Sequence, residues 1–234
     1  MSILKNRVKT MELQGKIIDF LGDSITEGVG VADRENNRYD NVLKKNCGLA
    51  ATYNYGIGGT RLVHQRTPSD KPRHDLCFFG RAYDLNKSAD IIVVYGGVND
   101  YLHGDAPFGQ FGDTSPANFC GGVYRLMDFL KTEYADKTVV FMTPARLHYD
   151  GMDGSKPSHR PQKAADAKPL PEYVRVIEQT ASQFRIPVLN LYEKLGIDPT
   201  NPEDKEKYTA DGLHFNDAGH HILAARLQEF LESL

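Results

Sequence analysis

Short apolar segments alternate with helical patterns along this chain, and that alternation restricts its fold more than any other feature. Five segments rich in Val, Ile and aromatic residues have the length of buried strands. They are Ile17–Leu21, Ala51–Tyr55, Ile91–Tyr95, Thr138–Met142 and Ile186–Leu191. Each is followed by a turn signal, and helical patterns lie between them. This alternation predicts a three-layer α/β domain with a mostly parallel sheet.

Apolar residues recur at helical spacing between the strands. The stripes comprise Tyr39, Val42 and Leu43; Phe119, Val123, Leu126, Met127 and Leu130; Tyr173, Ile177, Thr180, Ala181 and Phe184; and Leu223, Leu227, Phe230 and Leu231. Pro171 is expected in the first turn of the third helix, where its missing N–H has no helical partner to lose. Asn216 is expected to cap the last helix.

Length and charge favour one domain and a small-molecule partner. The chain has 234 residues, which fits a single domain over residues 1–234. A net charge of −3 gives no general reason to expect nucleic-acid or membrane binding. The N-terminus lacks the apolar run of a signal peptide. We therefore expect a cytoplasmic protein, with export open if a leader has been removed; the oligomeric state cannot be inferred.

Metals and cofactors are not expected. The three cysteines, Cys47, Cys77 and Cys120, are far apart and show no metal-binding spacing, so we interpret them as free thiols. The neighbouring His220 and His221 suggest a metal site, but no clear third ligand accompanies them. Packing and surface roles explain these histidines better.

Two polar segments interrupt the alternation. Residues 101–116 are rich in Gly, Pro and Asp, and residues 144–169 carry four prolines and charges of both signs. Each follows a strand at its carboxyl end, the side where open α/β sheets bind ligands. Long loops in compact domains are usually functional or disordered. We expect these two segments to be insertions that wall the substrate site.

Ser24, in the segment Gly22–Thr26, follows the first strand. As a local pattern, Ser24–Glu27 is a capping box, which would only start a helix. A serine at a helix N-terminus also has backbone N–H groups directed at its own reaction centre. A cap and a nucleophile are therefore compatible interpretations.

Glycine-rich turns follow the next two strands. The glycines of Asn54–Thr60 could simply allow a tight turn. They could also let a bare backbone N–H, that of Gly59, approach an oxyanion. A nucleotide-binding site is a weak alternative, because the spacing of a G-x-G-x-x-G motif is absent. Gly96–Asp100 has an ordinary turn composition. Its Asn99 could equally donate an amide N–H to developing negative charge.

Asp211 and His214 precede the last helix. An Asp-Gly turn with a packed histidine would be unremarkable, but a carboxylate three residues before an imidazole can bind its Nδ1–H and leave Nε2 to accept a serine proton. The carboxyl ends of parallel strands share one sheet edge. Ser24, the glycines and Asn99 therefore converge there, and the Asp–His turn could fold over the same edge.

These blocks resemble those of the SGNH hydrolases, also called the GDSL family, in family order from Gly22 to Asn216. The resemblance implies a flavodoxin-like sheet of five parallel strands. It also implies Ser24 as nucleophile, His214 as general base and Asp211 as its orienter. The oxyanion hole would consist of the Ser24 N–H, the N–H of Gly59 (or adjacent Gly58) and the Asn99 amide. Ile25 stands where leucine is commoner, and Thr26 excludes the G-x-S-x-G elbow of α/β-hydrolases.

The resemblance implies a serine esterase acting on small acyl esters. The polar character of residues 101–116 and 144–169 leans towards a short acyl group on a polar alcohol, such as an O-acetylated sugar, or is merely that of a solvated loop. Candidate substrate contacts are Asp23, Gly58, Asp100, Arg146 and His148. The alternatives are an acyltransferase on the same scaffold, a lysophospholipase or thioesterase, and a non-catalytic carbohydrate-binding relative.

Overall fold

A sheet of five parallel strands forms the centre of the protein. The computed structural model describes residues 10–149 and 163–234. The strand order is β2-β1-β3-β4-β5, the order of flavodoxin-like folds. The strands are β1 (Ile17–Gly22), β2 (Ala51–Gly56), β3 (Ile91–Tyr95), β4 (Thr138–Met142) and β5 (Val188–Leu189). The predicted fold class is confirmed.

Helices connect the strands and cover the sheet. In chain order they are α1 (Ser24–Glu27), α2 (Arg34–Asn37), α3 (Tyr39–Cys47), α4 (Phe78–Arg81), α5 (Val98–His103), α6 (Phe119–Glu133), α7 (Leu170–Gln183), α8 (Leu191–Lys194), α9 (Pro202–Tyr208) and α10 (Asp217–Glu232). Two 3₁₀ turns, Pro72–Asp75 and Ala82–Asp84, flank α4. Pro171 lies in the first turn of α7, and the Asn216 side chain caps α10 by accepting from the Gly219 N–H, both as predicted.

Two apolar cores lie on opposite faces of the sheet. Alternate residues of β3 enter different cores, with Ile92 and Val94 in one and Ile91 and Val93 in the other. The first core is completed mainly by α4, α6 and α7, and the second by α3, α8 and α10. Because β3 is buried on both faces, it is the continuous apolar run expected of a central parallel strand.

The strands end together at one edge. In the register, Gly22 of β1 is opposite Gly56 of β2 and Tyr95 of β3, and Tyr95 is opposite Met142 of β4. The turns after β1, β2 and β3 therefore start side by side.

The fifth strand is shorter than predicted. Only Val188 and Leu189 pair as β5, instead of Ile186–Leu191. Pro187 has no N–H to donate to a ladder, although its carbonyl accepts from Phe141. At the other end, the Asn190 side chain accepts from the Glu193 N–H and starts α8 at once.

The polar segments also begin differently from the prediction. Residues 101–103 belong to α5, so the irregular chain starts at Gly104. Residues 144–149 and 163–169 are irregular, and the rest of the second segment lies outside the described residues. Within the described chain, no helix is long and apolar enough to cross a membrane. Cys47, Cys77 and Cys120 are free thiols.

A buried aspartate in β1 makes the stability of the fold depend on pH. Asp19 is fully buried. One carboxyl oxygen accepts from the Asn86 N–H at 2.6 Å, and the other has no hydrogen-bond partner among the described residues. Burial raises the pKa of Asp19 from 3.8 to about 6, although the Asn86 N–H opposes the change. The folded state therefore holds this proton more tightly than the unfolded chain does.

We expect Asp19→Asn to stabilise the protein at alkaline pH. The stability provided by the Asp19 proton is complete below pH 3.8 and is lost as the pH rises through about 6. The free energy of unfolding of the variant, relative to wild type, should therefore grow by on the order of 2 kcal/mol between about pH 4 and pH 8. Urea unfolding of both proteins at the two pH values measures this difference.

Asp90→Asn is the matched control, because the folded state favours the ionised form of this carboxyl. Asp90 accepts from the Ile17 N–H at 2.8 Å and pairs with Lys16 at 3.1 Å. The Ile17 hydrogen bond and the Lys16 ammonium lower the pKa of Asp90. Its stabilising contribution is therefore present above pH 3.8 and lost only as the pH falls below that value, so the effect of Asp90→Asn should change little between about pH 4 and pH 8. A pH-independent Asp19→Asn effect would contradict the role assigned to burial.

Candidate active site

Ser24 lies at the first position of α1, directly beyond the carboxyl end of β1. The side chain of Asp23 accepts from the Ile25 N–H at 3.0 Å and caps this helix. The expected capping box, with Ser24 as its first residue, was therefore wrong. The Glu27 carboxylate instead accepts from the Gly58 N–H at 2.6 Å. Because Asp23 caps the helix, the Ser24 hydroxyl is left to bind a distant partner.

That partner is the ring of His214. Ser24 Oγ lies 2.9 Å from His214 Nε2, and His214 Nδ1 lies 2.7 Å from Asp211 Oδ2. An ionised carboxylate only accepts hydrogen bonds, so Nδ1 carries the ring proton and Nε2 accepts from the serine hydroxyl. The three predicted residues thus meet in one hydrogen-bonded row.

Asp211 is held in place and ionised. Its Oδ1 accepts from the N–H groups of Leu213 and His214, at 3.0 and 2.8 Å. Burial tends to raise the pKa of Asp211, but the hydrogen bonds from the His214 ring and from the two N–H groups outweigh it. The pKa therefore lies below its ordinary value of 3.8.

Gly212 lets this turn pack against the segment after β4. The glycine has a φ of +79°, and a side chain there would collide with the His148 carbonyl. The His148 N–H in turn donates to the Gly212 carbonyl at 2.9 Å. The same segment places the Tyr149 ring nearly perpendicular to the His214 ring, with 6.2 Å between the ring centres.

The turn after β2 brings Gly58 and Gly59 towards Ser24. A Cβ on Gly58 would lie 3.5 Å from Ser24 Cβ, and one on Gly59 would lie 2.8 Å from the His74 ring. Gly59 has a φ of +77°. Gly58 and Thr60 donate their N–H groups within the protein, whereas no described residue accepts from the Gly59 N–H.

Asn99 reaches the same place from α5. Its Nδ2 donates to the Thr60 carbonyl at 3.0 Å and, over a longer 3.3 Å, to Asp23 Oδ2. Its Oδ1 lies 2.9 Å from His103 Nε2. The amide is therefore buried between the turns that carry Ser24 and Gly59.

Three of the candidate substrate contacts are engaged in hydrogen bonds within the protein. Asp23 caps α1, the Gly58 N–H is bonded to Glu27, and Asp100 accepts from the N–H groups of Leu62 and Val63 at 2.9 and 3.3 Å. Burial raises the pKa of Asp23 to about 6 and that of Asp100 to about 7, against opposing hydrogen bonds. These contacts shape the turns and leave little of either carboxylate for a ligand.

The other two candidates, Arg146 and His148, line a cavity of about 560 Å³ that also borders Tyr149, whose ring packs against the ring of His214. Its wall consists of Tyr101, Arg146, Leu147, His148, Tyr149, Pro169, Leu170, Pro171, Tyr192, Asp198 and Thr200. Arg146 donates to the Tyr192 carbonyl at 3.1 Å, lies over the Tyr192 ring and is 3.7 Å from Asp198.

The two adjacent histidines have separate structural partners. His220 is buried, and its Nδ1 accepts from the Tyr39 N–H at 3.2 Å. Burial lowers the pKa of His220 to about 4. His221 bonds to Asn37 Oδ1 at 2.9 Å. Residues 10–149 and 163–234 contain no group of three or more His, Cys, Asp or Glu side chains that could hold a metal ion.

A family model decides the relationship of the chain. The model described as the GDSL-like lipase/acylhydrolase family matches residues 20–222. The chain belongs to this GDSL-like family. The four blocks identified in the sequence lie within the matched range, and the resemblance inferred from them is confirmed.

Solved structures agree with this membership. A Lactobacillus plantarum protein is 30% identical, with a TM-score of 0.78 over 94% of this chain and 98% of that one. An acetyl xylan esterase is 21% identical (TM-score 0.58, 91% and 98% covered), and a carbohydrate acetylesterase family member from Sinorhizobium meliloti is 16% identical (TM-score 0.61, 92% and 96% covered). The last two likenesses show the fold alone. Among curated proteins, none has a significant match to this chain.

The site of this GDSL-like protein also contains Arg81, which the sequence pattern does not predict. Arg81 is buried and donates to the Gly22 carbonyl at 3.1 Å, to Thr60 Oγ1 at 2.9 Å and to the Tyr55 carbonyl. It thus ties the end of β1 to the turn after β2. Burial lowers the pKa of Arg81 to about 10, which leaves it charged at neutral pH. An arginine in the segment between β2 and β3 carries no local signal of such a role.

Proposed function

We propose that this GDSL-like hydrolase is a serine esterase. Ser24 is the nucleophile, His214 the general base and Asp211 the carboxylate that orients the base. The observation that carries the proposal is the row Ser24 Oγ–His214 Nε2–Asp211, with contacts of 2.9 and 2.7 Å. Nucleophile, base and orienting group are each within hydrogen-bond reach, as acyl transfer requires.

Three donors would stabilise the oxyanion. The N–H of Ser24 is at the first helical position, where it has no intrahelical acceptor. The Gly59 N–H has no acceptor among the described residues. The second N–H of the Asn99 amide makes only the longer, 3.3 Å contact with Asp23 and is the one that would bind the oxyanion. Buried donors fixed before the reaction need little reorganisation.

The reaction then has two steps. His214 takes the Ser24 proton as Oγ attacks the ester carbonyl, and the C–O bond to the alcohol breaks when His214 returns the proton to the leaving oxygen. Water, deprotonated by the same ring, attacks the acyl-enzyme. The ester bond to Ser24 then breaks as His214 returns the proton to Oγ, which restores the hydroxyl and releases the carboxylic acid.

For the substrate, we propose a short acyl group on a polar, ring-shaped alcohol such as a sugar. The cavity contains the ring of Tyr192 with Arg146 over it, and Asp198 adjacent. Aromatic walls give a ligand contact area, and a few placed polar groups fix its orientation, which suits a ring that carries hydroxyl groups. The two acetylesterase structures show only the shared fold, so this proposal rests on the cavity.

A panel of nitrophenyl esters from acetate to long chains, together with acetylated sugars, tests both parts of the proposal. We expect kcat/KM to be highest for the shortest acyl groups and to fall about tenfold or more for the longest, because in this proposal the alcohol occupies the cavity and leaves no room there for a long acyl chain. A maximum at long chains would overturn the proposed substrate. No hydrolysis of any member, with no fluorophosphonate labelling of Ser24, would overturn the proposed activity.

Arg146→Ala is expected to raise KM for an acetylated sugar by roughly three- to tenfold, because it removes a fixed hydrogen-bond donor from the cavity. Arg175→Ala is the matched control, since Arg175 is exposed on α7 and pairs with Glu172 on the same helix. Michaelis kinetics of the two variants decide the question. Equal effects of both would remove Arg146 from the binding site.

A further inference from the structure

A chain of three buried side chains leads from Arg61 to the Asn99 amide. Arg61 Nη1 lies 3.3 Å from His103 Nδ1, and His103 Nε2 lies 2.9 Å from Asn99 Oδ1. Arg61, His103 and Asn99 are respectively 2%, 4% and 2% exposed. Asn99 and His103 are one turn apart on α5, so the helix itself aligns them.

The direction of these hydrogen bonds is determined by the arginine. A guanidinium donates and cannot accept. His103 Nδ1 is therefore the acceptor, and the proton of the neutral ring is on Nε2. The ring then donates to Asn99 Oδ1, because that amide oxygen can only accept.

This direction selects one of the two orientations of the Asn99 amide. With Oδ1 bonded to His103, the NH₂ group faces the Thr60 carbonyl and Asp23, at 3.0 and 3.3 Å. Thr60 directly follows Gly59 in the chain, and Asp23 directly precedes Ser24. A flipped amide would present its oxygen to the Thr60 carbonyl and its NH₂ to the His103 N–H, so both contacts would become repulsive.

Arg61 is itself held from the other side. Its Nη2 donates to the His74 carbonyl at 3.2 Å and is 3.6 Å from Asp75. The His74 ring lies against Gly59. One guanidinium thus contacts both the segment that packs on Gly59 and the histidine that orients Asn99.

We propose that His103 is a positioning residue of this hydrolase. Arg61 sets its tautomer, and His103 in turn holds the Asn99 amide with a donor towards the oxyanion. The inference rests on the proposed esterase function, because the oxyanion belongs to that reaction. His103 does not touch the reacting atoms and acts through Asn99.

Kinetics of His103→Leu and His103→Gln, each in the wild-type and Asn99→Ala backgrounds, test the proposal. His103→Leu removes the donor and should lower kcat roughly tenfold or more with KM within about twofold. Gln can accept from Arg61 and donate to Asn99, so His103→Gln should recover most of the loss.

In the Asn99→Ala background, His103→Leu should lower kcat by less than about twofold, because there is no amide to position. An equal loss in both backgrounds, or no recovery with Gln, would overturn the proposal.

The tautomer of His103 is a readout that does not need hydrolysis. Long-range ¹H–¹⁵N correlation spectra of the ¹⁵N-histidine-labelled protein, with the His103 signals assigned by their loss in His103→Gln, should show the proton on Nε2. A neutral ring protonated on Nδ1, or an imidazolium at neutral pH, would overturn the proposal even if His103→Leu failed to fold. If the wild type hydrolyses no ester but shows the expected tautomer, the proposed esterase function fails and the orientation of His103 stands.

Discussion

Replacing Ser24 with alanine should lower kcat for a nitrophenyl acetate by ~10⁴-fold or more, with the fold intact. The hydroxyl is the group placed 2.9 Å from His214 Nε2, and a methyl side chain leaves the base with no nucleophile to activate. The loss of one neutral hydrogen bond costs only ~1 kcal/mol of stability. Steady-state kinetics and the thermal unfolding midpoint measure the two effects.

Two further variants make this result specific. Ser88→Ala changes an exposed serine in the connection before β3 and should keep full activity. The double variant Ser24→Ala/His214→Ala should be no slower than Ser24→Ala alone, because a base without its nucleophile contributes little. If Ser24→Ala retained most of its esterase activity, the proposed nucleophile would be wrong.

The sheet edge explains why so much of the candidate site could be predicted. Ser24, Gly59 and Asn99 each follow a strand that is buried and therefore visible as an apolar run, and parallel strands end at one edge. His214 and Asp211 could be paired by their spacing of three residues. The local sequence pattern therefore predicts which residues follow a strand or precede a helix. The parallel arrangement of the strands then predicts that these residues lie close together.

Local pattern failed where two polar residues competed for one role. Asp23 and Ser24 are adjacent, and both are good helix caps. Sequence alone favoured Ser24 because Glu27 follows at capping-box spacing. In the structure the Glu27 carboxylate is bonded to the Gly58 N–H, a partner 31 residues away. That contact joins the turns that follow β1 and β2, which strand pairing brings side by side, so no local rule contains it.

The supporting residues were missed for a related reason. His103 follows Asn99 at the i+4 spacing of a helix, and that signal was present in the sequence. The prediction of a loop over residues 101–116 conceals it, because α5 continues through His103. Arg61 and Arg81 have no such signal, since their contacts join segments that are distant along the chain. Burial of a charged side chain is decided by tertiary packing, and a composition pattern does not show it.

Replacing Asn99 with alanine should lower kcat by roughly 10²–10³-fold while KM changes little, because the lost donor acts on charge that develops only in the transition state. The variant also leaves the His103 N–H and the Thr60 carbonyl without their described partner. Buried groups left unpaired in this way cost about 1–3 kcal/mol of stability. Kinetics on nitrophenyl acetate and urea unfolding separate the two consequences.

Asn118→Ala is the control that makes the Asn99 result interpretable. Asn118 caps α6 by accepting from the Gly121 N–H at 2.8 Å and donates to Asp113 at 2.8 Å, so its loss also removes hydrogen bonds from the fold. It should destabilise the protein by about 1 kcal/mol and leave kcat near that of the wild type. The rate of fluorophosphonate labelling of Ser24 should fall with kcat in Asn99→Ala only, because labelling also builds charge on an oxygen. A rise in KM at unchanged kcat would instead assign Asn99 to ground-state binding and remove it from the oxyanion hole.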